Sequence, residues 1–149
     1  MEKSKNDCLI IGSGMCGLTA AHFLKNAGLN VTIIDKGRNV GGRLATREVE
    51  DNGHPGAIDF GAQFFTIKSP AFQDFSRNWF QKQIVHEWFN QRPAQNKPES
   101  GNKFPRYCGT NGMRDIASYL AKDLEIFQGQ RVTNINFQDF SMSIYAPLD

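Results

Sequence analysis

The residues with the clearest chemical potential lie near the beginning of the chain. Gly12, Gly14 and Gly17 form a Gly-x-Gly-x-x-Gly pattern directly after the apolar run 8–11. In this spacing the first glycine permits a tight turn, the second lets a pyrophosphate approach the backbone, and the third allows a helix to pack closely on a strand. The N-terminus of that helix, with its unpaired N–H groups and positive dipole end, favours an anion. The pattern therefore predicts a dinucleotide-binding site.

An acidic residue completes this pattern. Asp35 follows the next apolar run, 31–34. It stands at about the 20-residue distance from the glycines at which a carboxylate accepts hydrogen bonds from a ribose diol. A competing interpretation is an NAD(P)-binding module in which Lys36 and Arg38 lie near a 2′-phosphate. Asp35 would repel that phosphate, which makes this interpretation the weaker one.

Two further segments contain glycines that could lie against a ligand. In the basic loop 36–47 a Gly-Gly pair directly precedes Arg43, so that backbone and guanidinium can approach a phosphate together. Segment 57–67 is predicted to be extended, with Gly61 near its middle. A glycine inside a strand is typical of a close approach by a ligand or another backbone.

No side chain stands out as a catalytic group. The sequence contains no Ser-His-Asp, paired-carboxylate or metal-binding pattern, and its three cysteines, Cys8, Cys16 and Cys108, lack metal-ligand spacing. We therefore expect no metal site and interpret the cysteines as reduced thiols. Cys16 is expected to occupy a small-residue packing position within the glycine turn.

The elements that position the first group of residues form a βαβ-type unit. A strand over 7–11, a helix over 14–27 that ends at Gly28, and a second strand over 30–35 are predicted from apolar runs and helical spacing. Continuous apolar runs are typical of parallel strands that are buried on both faces. The fold class is therefore α/β, with a Rossmann-type dinucleotide-binding unit.

Later segments predict supporting elements. Ser69 and Pro70 begin a helix whose aromatic side chains recur at helical spacing, as expected of core residues. Asn111 is predicted to cap a helix over 112–122, and 90–103 is predicted to be a mobile polar loop. Short strands are predicted over 84–89, 124–127 and 131–137.

Composition and charge exclude several classes of function. The 149 residues suffice for one ordinary domain with a substantial core, and a net charge of +2 without a basic face argues against nucleic acid as a partner. The first apolar run, 8–11, is too short for a signal-peptide core or a membrane span. We expect a cytoplasmic protein that binds a small molecule and has no membrane partner.

Four stretches resemble the N-terminal portion of flavin-containing amine-oxidase-type proteins, and are most similar to the renalase-like branch of FAD-dependent oxidoreductases. They are 12–17, 35 together with 41–46, 59–66, and 106–109 together with 112–113. The second and third are specific, because a simple NAD dehydrogenase has no reason to carry them. The resemblance implies FAD as the cofactor. It also implies a Rossmann-type FAD/NAD(P)-binding fold with the beginning of a second, mixed α+β substrate domain.

The resemblance also divides the chain into regions. Residues 1–48 would form the FAD-binding βαβ segment and phosphate loop. Residues 49–123 would form the flavin-facing strand and part of the substrate or cap region. Residues 124–149 would form strands that return to the FAD domain. Proteins of this family are considerably longer than 149 residues, so we expect the chain to be truncated relative to them. The face left by the missing part is expected to permit self-association.

Individual residues receive roles from the same resemblance. The glycines of the first turn would face the FAD pyrophosphate and Asp35 the adenosine ribose, where family members more often carry Glu. Gly42 and Arg43 would line the pyrophosphate and ribityl region, 61–63 would lie against the isoalloxazine ring, and Val132 would offer its backbone to adenine. The expected cofactor-binding residues are Gly12, Ser13, Gly14, Met15, Cys16, Gly17, Asp35, Lys36, Gly41, Gly42, Arg43, Leu44, Gly61, Ala62, Gln63 and Val132.

The implied reaction is hydride transfer from a reduced nicotinamide-type or amine substrate to the flavin, with reoxidation by oxygen. The cofactor carries this chemistry and no acid–base residue is obligatory, in agreement with the absence of a catalytic pattern. Two alternatives remain beside it. One is a truncated, catalytically inactive relative that binds FAD or NAD(P), and the other is the NAD(P) module described above.

Overall fold

A computed structural model of the chain describes residues 7–89, 104–136 and 141–145. Its helices are α1 (Met15–Asn26), α2 (Pro70–Gln81) and α3 (Arg114–Leu120). Its strands are β1 (Cys8–Ile11), β2 (Val31–Ile34), β3 (Thr46–Asp51), β4 (His54–Asp59), β5 (Val85–Phe89), β6 (Arg106–Gly109), β7 (Glu125–Phe127), β8 (Arg131–Asn136) and β9 (Ser141–Tyr145). A short 3₁₀ turn covers Gly42–Leu44. The predicted mobile loop 90–103 lies outside the described residues.

The chain divides into two compact units. The first unit contains residues 1–43 and 117–149, and the second unit contains residues 44–116. A parallel sheet in the order β1-β2-β7 forms the centre of the first unit, and β8 pairs with β9 as a separate antiparallel hairpin. The central strand β2 is the most buried, since Ile33 is fully buried and Ile34 nearly so. The predicted α/β class with a parallel sheet is confirmed.

The prediction that β1 is buried on both faces is wrong. Leu9 is 41% exposed and Ile11 is 53% exposed. Among the described residues β1 pairs with β2 alone, so it is an edge strand whose alternate side chains lack cover. The apolar run therefore identified the strand correctly but not its position in the sheet.

Helix α1 packs its apolar face on the first two strands of the sheet. Leu18 and Ala21 on that face are fully buried. The helix ends as predicted before Gly28, whose φ of +86° is a left-handed value that glycine adopts without strain. Gly17 allows the close packing, because a Cβ at this position would collide with the carbonyl oxygen of Gly12.

In the second unit, β3 and β4 form an antiparallel hairpin with a two-residue turn at Asn52 and Gly53, where φ is +51° and +79°. The extended segment predicted over 57–67 is wrong beyond Asp59, where β4 ends. Asp59 pairs with the first residue of β3, so no strand partner remains beyond it. Phe65 instead forms an isolated bridge with Tyr107 of β6.

The predicted helix beginning at Ser69-Pro70 is confirmed as α2, and the Ser69 hydroxyl accepts a hydrogen bond from Phe72 N at 3.3 Å. Its aromatic stripe is core at Trp79, as predicted, whereas its three phenylalanines are half-buried. Trp79 is 1% exposed. It meets the rings of Phe65, Phe72 and Phe75 edge-on at centroid distances of 5.8, 5.9 and 5.4 Å. These contacts bury large apolar surfaces, which is how aromatic residues stabilise a small core.

The predicted cap of α3 is wrong. Asn111 does not cap the helix but donates its backbone N–H to Asp115 at 2.8 Å. The N–H of Arg114 instead donates to Thr46 Oγ1 at 3.0 Å, and a residue earlier the N–H of Met113 donates to Asp59 Oδ1 at 2.9 Å. The helix is thus anchored by residues distant in sequence, which local capping rules do not detect.

Candidate functional site

The two glycine segments of the first unit lie against each other. Gly41 N donates to the carbonyl oxygen of Ser13 at 2.9 Å, and Gly14 and Gly41 form a parallel bridge. A Cβ on Gly42 would lie 3.5 Å from the Cα of Gly14. Gly12, Gly41 and Gly42 have φ values of +103°, +114° and +54°, which favour glycine at each position. The structure therefore brings together the glycine turn and the Gly-Gly pair that the sequence placed far apart.

The N-terminus of α1 opens onto this glycine cluster. Gly14 is the N-cap residue, no side chain caps the helix, and its first turn contains no acidic residue. The positive end of the helix dipole is therefore not neutralised by the helix itself, and it is suited to an anion. Met15 and Gly17 in this turn are half-buried.

The position expected for Cys16 is wrong. Its side chain is exposed rather than packed within the glycine turn. Leu18 points to the sheet. Cys16 is two positions earlier in the helix and therefore lies about 200° around the helix axis from Leu18. Cys16 therefore faces away from the sheet, at the rim of the same helix end.

Asp35 lies directly beside the glycine turn. One carboxylate oxygen, Oδ2, accepts hydrogen bonds from the backbone N–H of Ser13 at 2.5 Å and from the Ser13 hydroxyl at 2.6 Å. The other, Oδ1, accepts from the backbone N–H of Gly37 at 2.6 Å. Ser13 is fully buried, whereas Asp35 is half-buried and within reach of a ligand. The carboxylate thus links the glycine turn to the loop that follows β2.

These contacts keep Asp35 ionised. Burial by itself raises the pKa of Asp35, but the hydrogen bonds from Ser13 and Gly37, together with the charge of Lys36, outweigh it. The pKa of Asp35 is therefore lowered from its ordinary value. A carboxylate that stays charged is a strong acceptor for hydroxyl groups such as those of a ribose.

Sequence reasoning misses two residues that contact this loop. Gly129 N donates to the carbonyl oxygen of Gly37 at 3.0 Å, and Gln130 N donates to the carbonyl oxygen of Asp35 at 2.9 Å. These bonds bring the start of β8 beside the acidic residue, and Val132 follows on that strand, half-buried. Gly129 has a φ of +70°, so a glycine two residues before β8 was the available signal.

The basic side chains near the cluster are exposed. Lys36 lies directly after Asp35, and Arg43 lies in the 3₁₀ turn directly after the Gly-Gly pair. Both side chains are exposed, so they remain accessible to a phosphate.

The remaining predicted residues belong to the second unit. Leu44 ends the 3₁₀ turn and is half-buried. Gly61 and Gln63 are exposed and Ala62 is half-buried, in the irregular segment between β4 and α2 rather than inside a strand. Their expected contact with a flavin ring stays a prediction.

The second unit contains a Cys–His pair that the sequence did not indicate. Cys108 Sγ lies 3.4 Å from His86 Nε2, because the two residues are directly opposite in the β5–β6 register. Burial and the negative charge of Asp59 raise the pKa of the Cys108 thiol. The thiol is therefore neutral near pH 7, which does not favour a nucleophilic role.

Neither a metal cluster nor a membrane helix is found in the described part of the chain. Within 7–89, 104–136 and 141–145, no three His, Cys, Asp or Glu side chains are grouped so that they could hold a metal ion. Over the same ranges, no helix has the length and apolar character needed to cross a membrane.

Comparison with known proteins agrees with this geometry. The family model described as an NAD(P)-binding Rossmann-like domain matches residues 10–79. This range contains the glycine turn, α1, β2, Asp35 and the Gly-Gly pair. The fold around these residues is Rossmann-like.

Curated relatives match parts of the chain that are similar in length to this range. An L-amino-acid oxidase of Siganus canaliculatus is 35% identical over 81 residues, which are 54% of this chain and 14% of that protein. The protein FLOWERING LOCUS D of Arabidopsis thaliana is 35% identical over 65 residues (44% and 8%). A hydroxyneurosporene desaturase of Rubrivivax gelatinosus is 38% identical over 60 residues (40% and 11%). The matched segments thus span about a seventh or less of these relatives.

A solved structure of a putrescine oxidase variant is also similar, at 29% identity and a TM-score of 0.42, over 54% of this chain and 17% of that one. The sequence matches support the flavin amine-oxidase type that the four stretches resemble. They do not distinguish the renalase-like branch within it.

Proposed function

We propose that the first unit binds FAD and that the chain acts as an oxidoreductase of the flavin amine-oxidase type. The observation that carries this proposal is the convergence of three features: the glycine turn, the Gly41-Gly42 pair and the ionised Asp35. A dinucleotide needs a backbone without side chains for its pyrophosphate and an acceptor for its ribose. These residues supply both within one unit.

The residues present fit the pyrophosphate and adenosine parts of FAD. Gly12 is open, because a Cβ at this position would meet nothing within 4 Å, and a Cβ on Gly14 would meet only Gly41 O at 4.0 Å. We assign the pyrophosphate to this space at the N-terminus of α1, with Arg43 as a neighbouring cation. Asp35 would accept from the adenosine ribose, and the backbone near Val132 would meet the adenine.

The finer activity is also a proposal. Bound FAD would supply two-electron redox chemistry, and the residues of the chain would bind and orient it. We propose that the substrate is a small amine, amino acid or reduced nicotinamide-type molecule. The names of the matched relatives, which include L-amino-acid oxidases, support an amino acid as the substrate class. The renalase-like assignment rests on the resemblance of the four stretches.

The proposal is tested on the purified full chain by visible spectroscopy after addition of FAD. Bound flavin is expected to co-elute with the protein in gel filtration, with flavin absorption bands in the blue region. Bleaching by a reduced nicotinamide nucleotide or an amine under nitrogen would then support turnover. A chain that retains no flavin, but binds NAD⁺, would replace the proposal by the NAD(P)-binding alternative.

The first prediction concerns the ribose acceptor. Asp35→Ala removes charge-assisted hydrogen bonds worth about 1.5–3 kcal/mol, so the Kd for FAD should rise by about 10- to 150-fold. Asp7→Ala is the matched control. Asp7 lies in the same unit and also accepts two hydrogen bonds, from Asn30 N and Nδ2 at 3.0 Å, but away from the glycine turn. Equal FAD affinity of Asp35→Ala and the unmodified chain would show that the ribose assignment is wrong.

A further inference from the structure

We infer that Ser13 is a positioning residue for the ribose of the dinucleotide, because it holds the Asp35 carboxylate in one orientation and leaves one of its oxygens for the ligand. The inference rests on the proposed function and adds a role for a side chain that the glycine pattern leaves unspecified. Ser13 occupies a variable position of that pattern, between Gly12 and Gly14.

The geometry around Ser13 points to this role. Its backbone N–H and its hydroxyl both donate to Asp35 Oδ2, at 2.5 and 2.6 Å, across 22 positions in sequence. The side chain is fully buried, so its hydroxyl requires an internal partner. The carboxylate is consequently held by Ser13 on one oxygen and by Gly37 N on the other. A long-range bond of this kind fixes a side chain that would otherwise rotate.

Counting acceptor sites shows which oxygen remains for a ligand. An ionised carboxylate offers about four lone-pair positions, two on each oxygen. Ser13 uses both positions of Oδ2, and Gly37 uses one position of Oδ1. Oδ1 therefore retains one position, and Asp35 is only half-buried. We assign the ribose hydroxyl to Oδ1.

The space beside Oδ1 supports the same assignment. A Cβ on Gly37 would lie 3.1 Å from Oδ1, tighter than ordinary van der Waals contact. The absence of a side chain at Gly37 therefore keeps this side of the carboxylate clear. It also lets the Gly37 N–H approach Oδ1 to 2.6 Å.

The test compares Ser13→Ala with the unmodified chain, first without any nucleotide. Carbon-detected NMR titration of the Asp35 carboxyl should show a pKa below the ordinary value in the unmodified chain, as the structure indicates. Ser13→Ala removes a hydrogen bond to the charged form, so the pKa of Asp35 should rise. An unchanged pKa in a folded Ser13→Ala protein would overturn the inference.

The second measurement uses ADP and 2′,3′-dideoxy-ADP as probes, since they share the adenine and pyrophosphate and differ only in the ribose hydroxyls. Calorimetry should show the Kd for ADP about five- to ten-fold higher in Ser13→Ala, with no change for dideoxy-ADP. An equal loss of affinity for ADP and dideoxy-ADP in Ser13→Ala would show that Ser13 has only a structural role, and would overturn the inference. Failure of the unmodified chain to prefer ADP over dideoxy-ADP would also overturn it.

A matched control and a double variant complete the test. Ser76→Ala also removes a fully buried serine hydroxyl, one that donates to Phe72 O at 2.8 Å in the second unit, and should leave ADP binding unchanged. In an Asp35→Ala background, Ser13→Ala should have no further effect on ADP binding. Retention of the ADP preference by a protein that never binds flavin would refute the FAD proposal while leaving the role of Ser13 intact.

Discussion

Asp35 in the first unit and Asp59 in the second unit are the same chemical group in the same local setting. Asp35 directly follows β2, and Asp59 is the last residue of β4. Each accepts a bond from a buried hydroxyl, Ser13 for Asp35 and Thr46 for Asp59, the latter at 2.5 Å. Each also accepts from a backbone N–H, of Ser13 and of Met113.

The surroundings of the two carboxylates differ. Asp35 faces glycines whose missing side chains leave room for a ligand. Asp59 lies where a hairpin meets the start of α3, and Thr46 beside it is 3% exposed. We therefore expect Asp35 to contribute to binding as well as to stability, and Asp59 to stability alone. A hydrogen-bonded carboxylate becomes a binding residue only where the backbone around it leaves space.

The largest expected effect on stability is that of Asp59→Ala. It removes two hydrogen bonds and leaves the buried Thr46 hydroxyl without its acceptor, which should lower the free energy of unfolding by about 2–4 kcal/mol. Urea titration followed by tryptophan fluorescence measures the loss, since Trp79 and Trp88 both lie in the second unit.

Asp51→Ala is the control for this measurement. Asp51 lies in the same hairpin but is exposed, so its removal should change the free energy of unfolding by about 0.5 kcal/mol or less. The two carboxylates are distinguished by binding, since Asp59→Ala should leave the Kd for ADP unchanged whereas Asp35→Ala should raise it. If both variants raised that Kd equally, the distinction between a binding and a structural carboxylate would fail.

A smaller effect is expected at the glycine beside the Thr46–Asp59 pair. A Cβ on Gly112 would collide with the Thr46 side chain, and its φ is +116°. Gly53 has a φ of +79° but nothing within 4 Å of such a Cβ. Both alanine variants share the strain of a positive φ, so Gly112→Ala should cost about 1–3 kcal/mol more than Gly53→Ala because of the collision. Equal thermal unfolding midpoints for Gly112→Ala and Gly53→Ala would show that the Thr46 side chain moves aside without loss of stability.

The smallest effect concerns the charge of Asp59 on its neighbour. Because this charge contributes to the raised pKa of Cys108, Asp59→Asn should lower that pKa and increase thiolate at a fixed pH. Alkylation of Cys108 by iodoacetamide should then be about two- to three-fold faster, as measured by mass spectrometry. The exposed Cys16 in the first unit is the internal control and should react at an unchanged rate.

The two units also differ in how well the sequence predicted them. In the first unit the glycine pattern, the helix, the stop at Gly28 and the second strand follow from local rules, and the structure confirms them. In the second unit the start of α2 was equally local and is also confirmed. The extended segment beyond Asp59 and the cap at Asn111 were wrong, because distant partners decide both.

By itself, the sequence determined the types of residue that a dinucleotide site requires and the βαβ elements that present them. These depend on periodicity and on conformations that only glycine adopts easily, so they can be read within a short window of the chain. Three features were decided by the tertiary structure alone. The Gly-Gly pair lies against the glycine turn, β1 is an edge strand, and Ser13 holds Asp35. Those features depend on which residues meet across long sequence separations, and hydrogen-bond partners of that kind leave no local pattern.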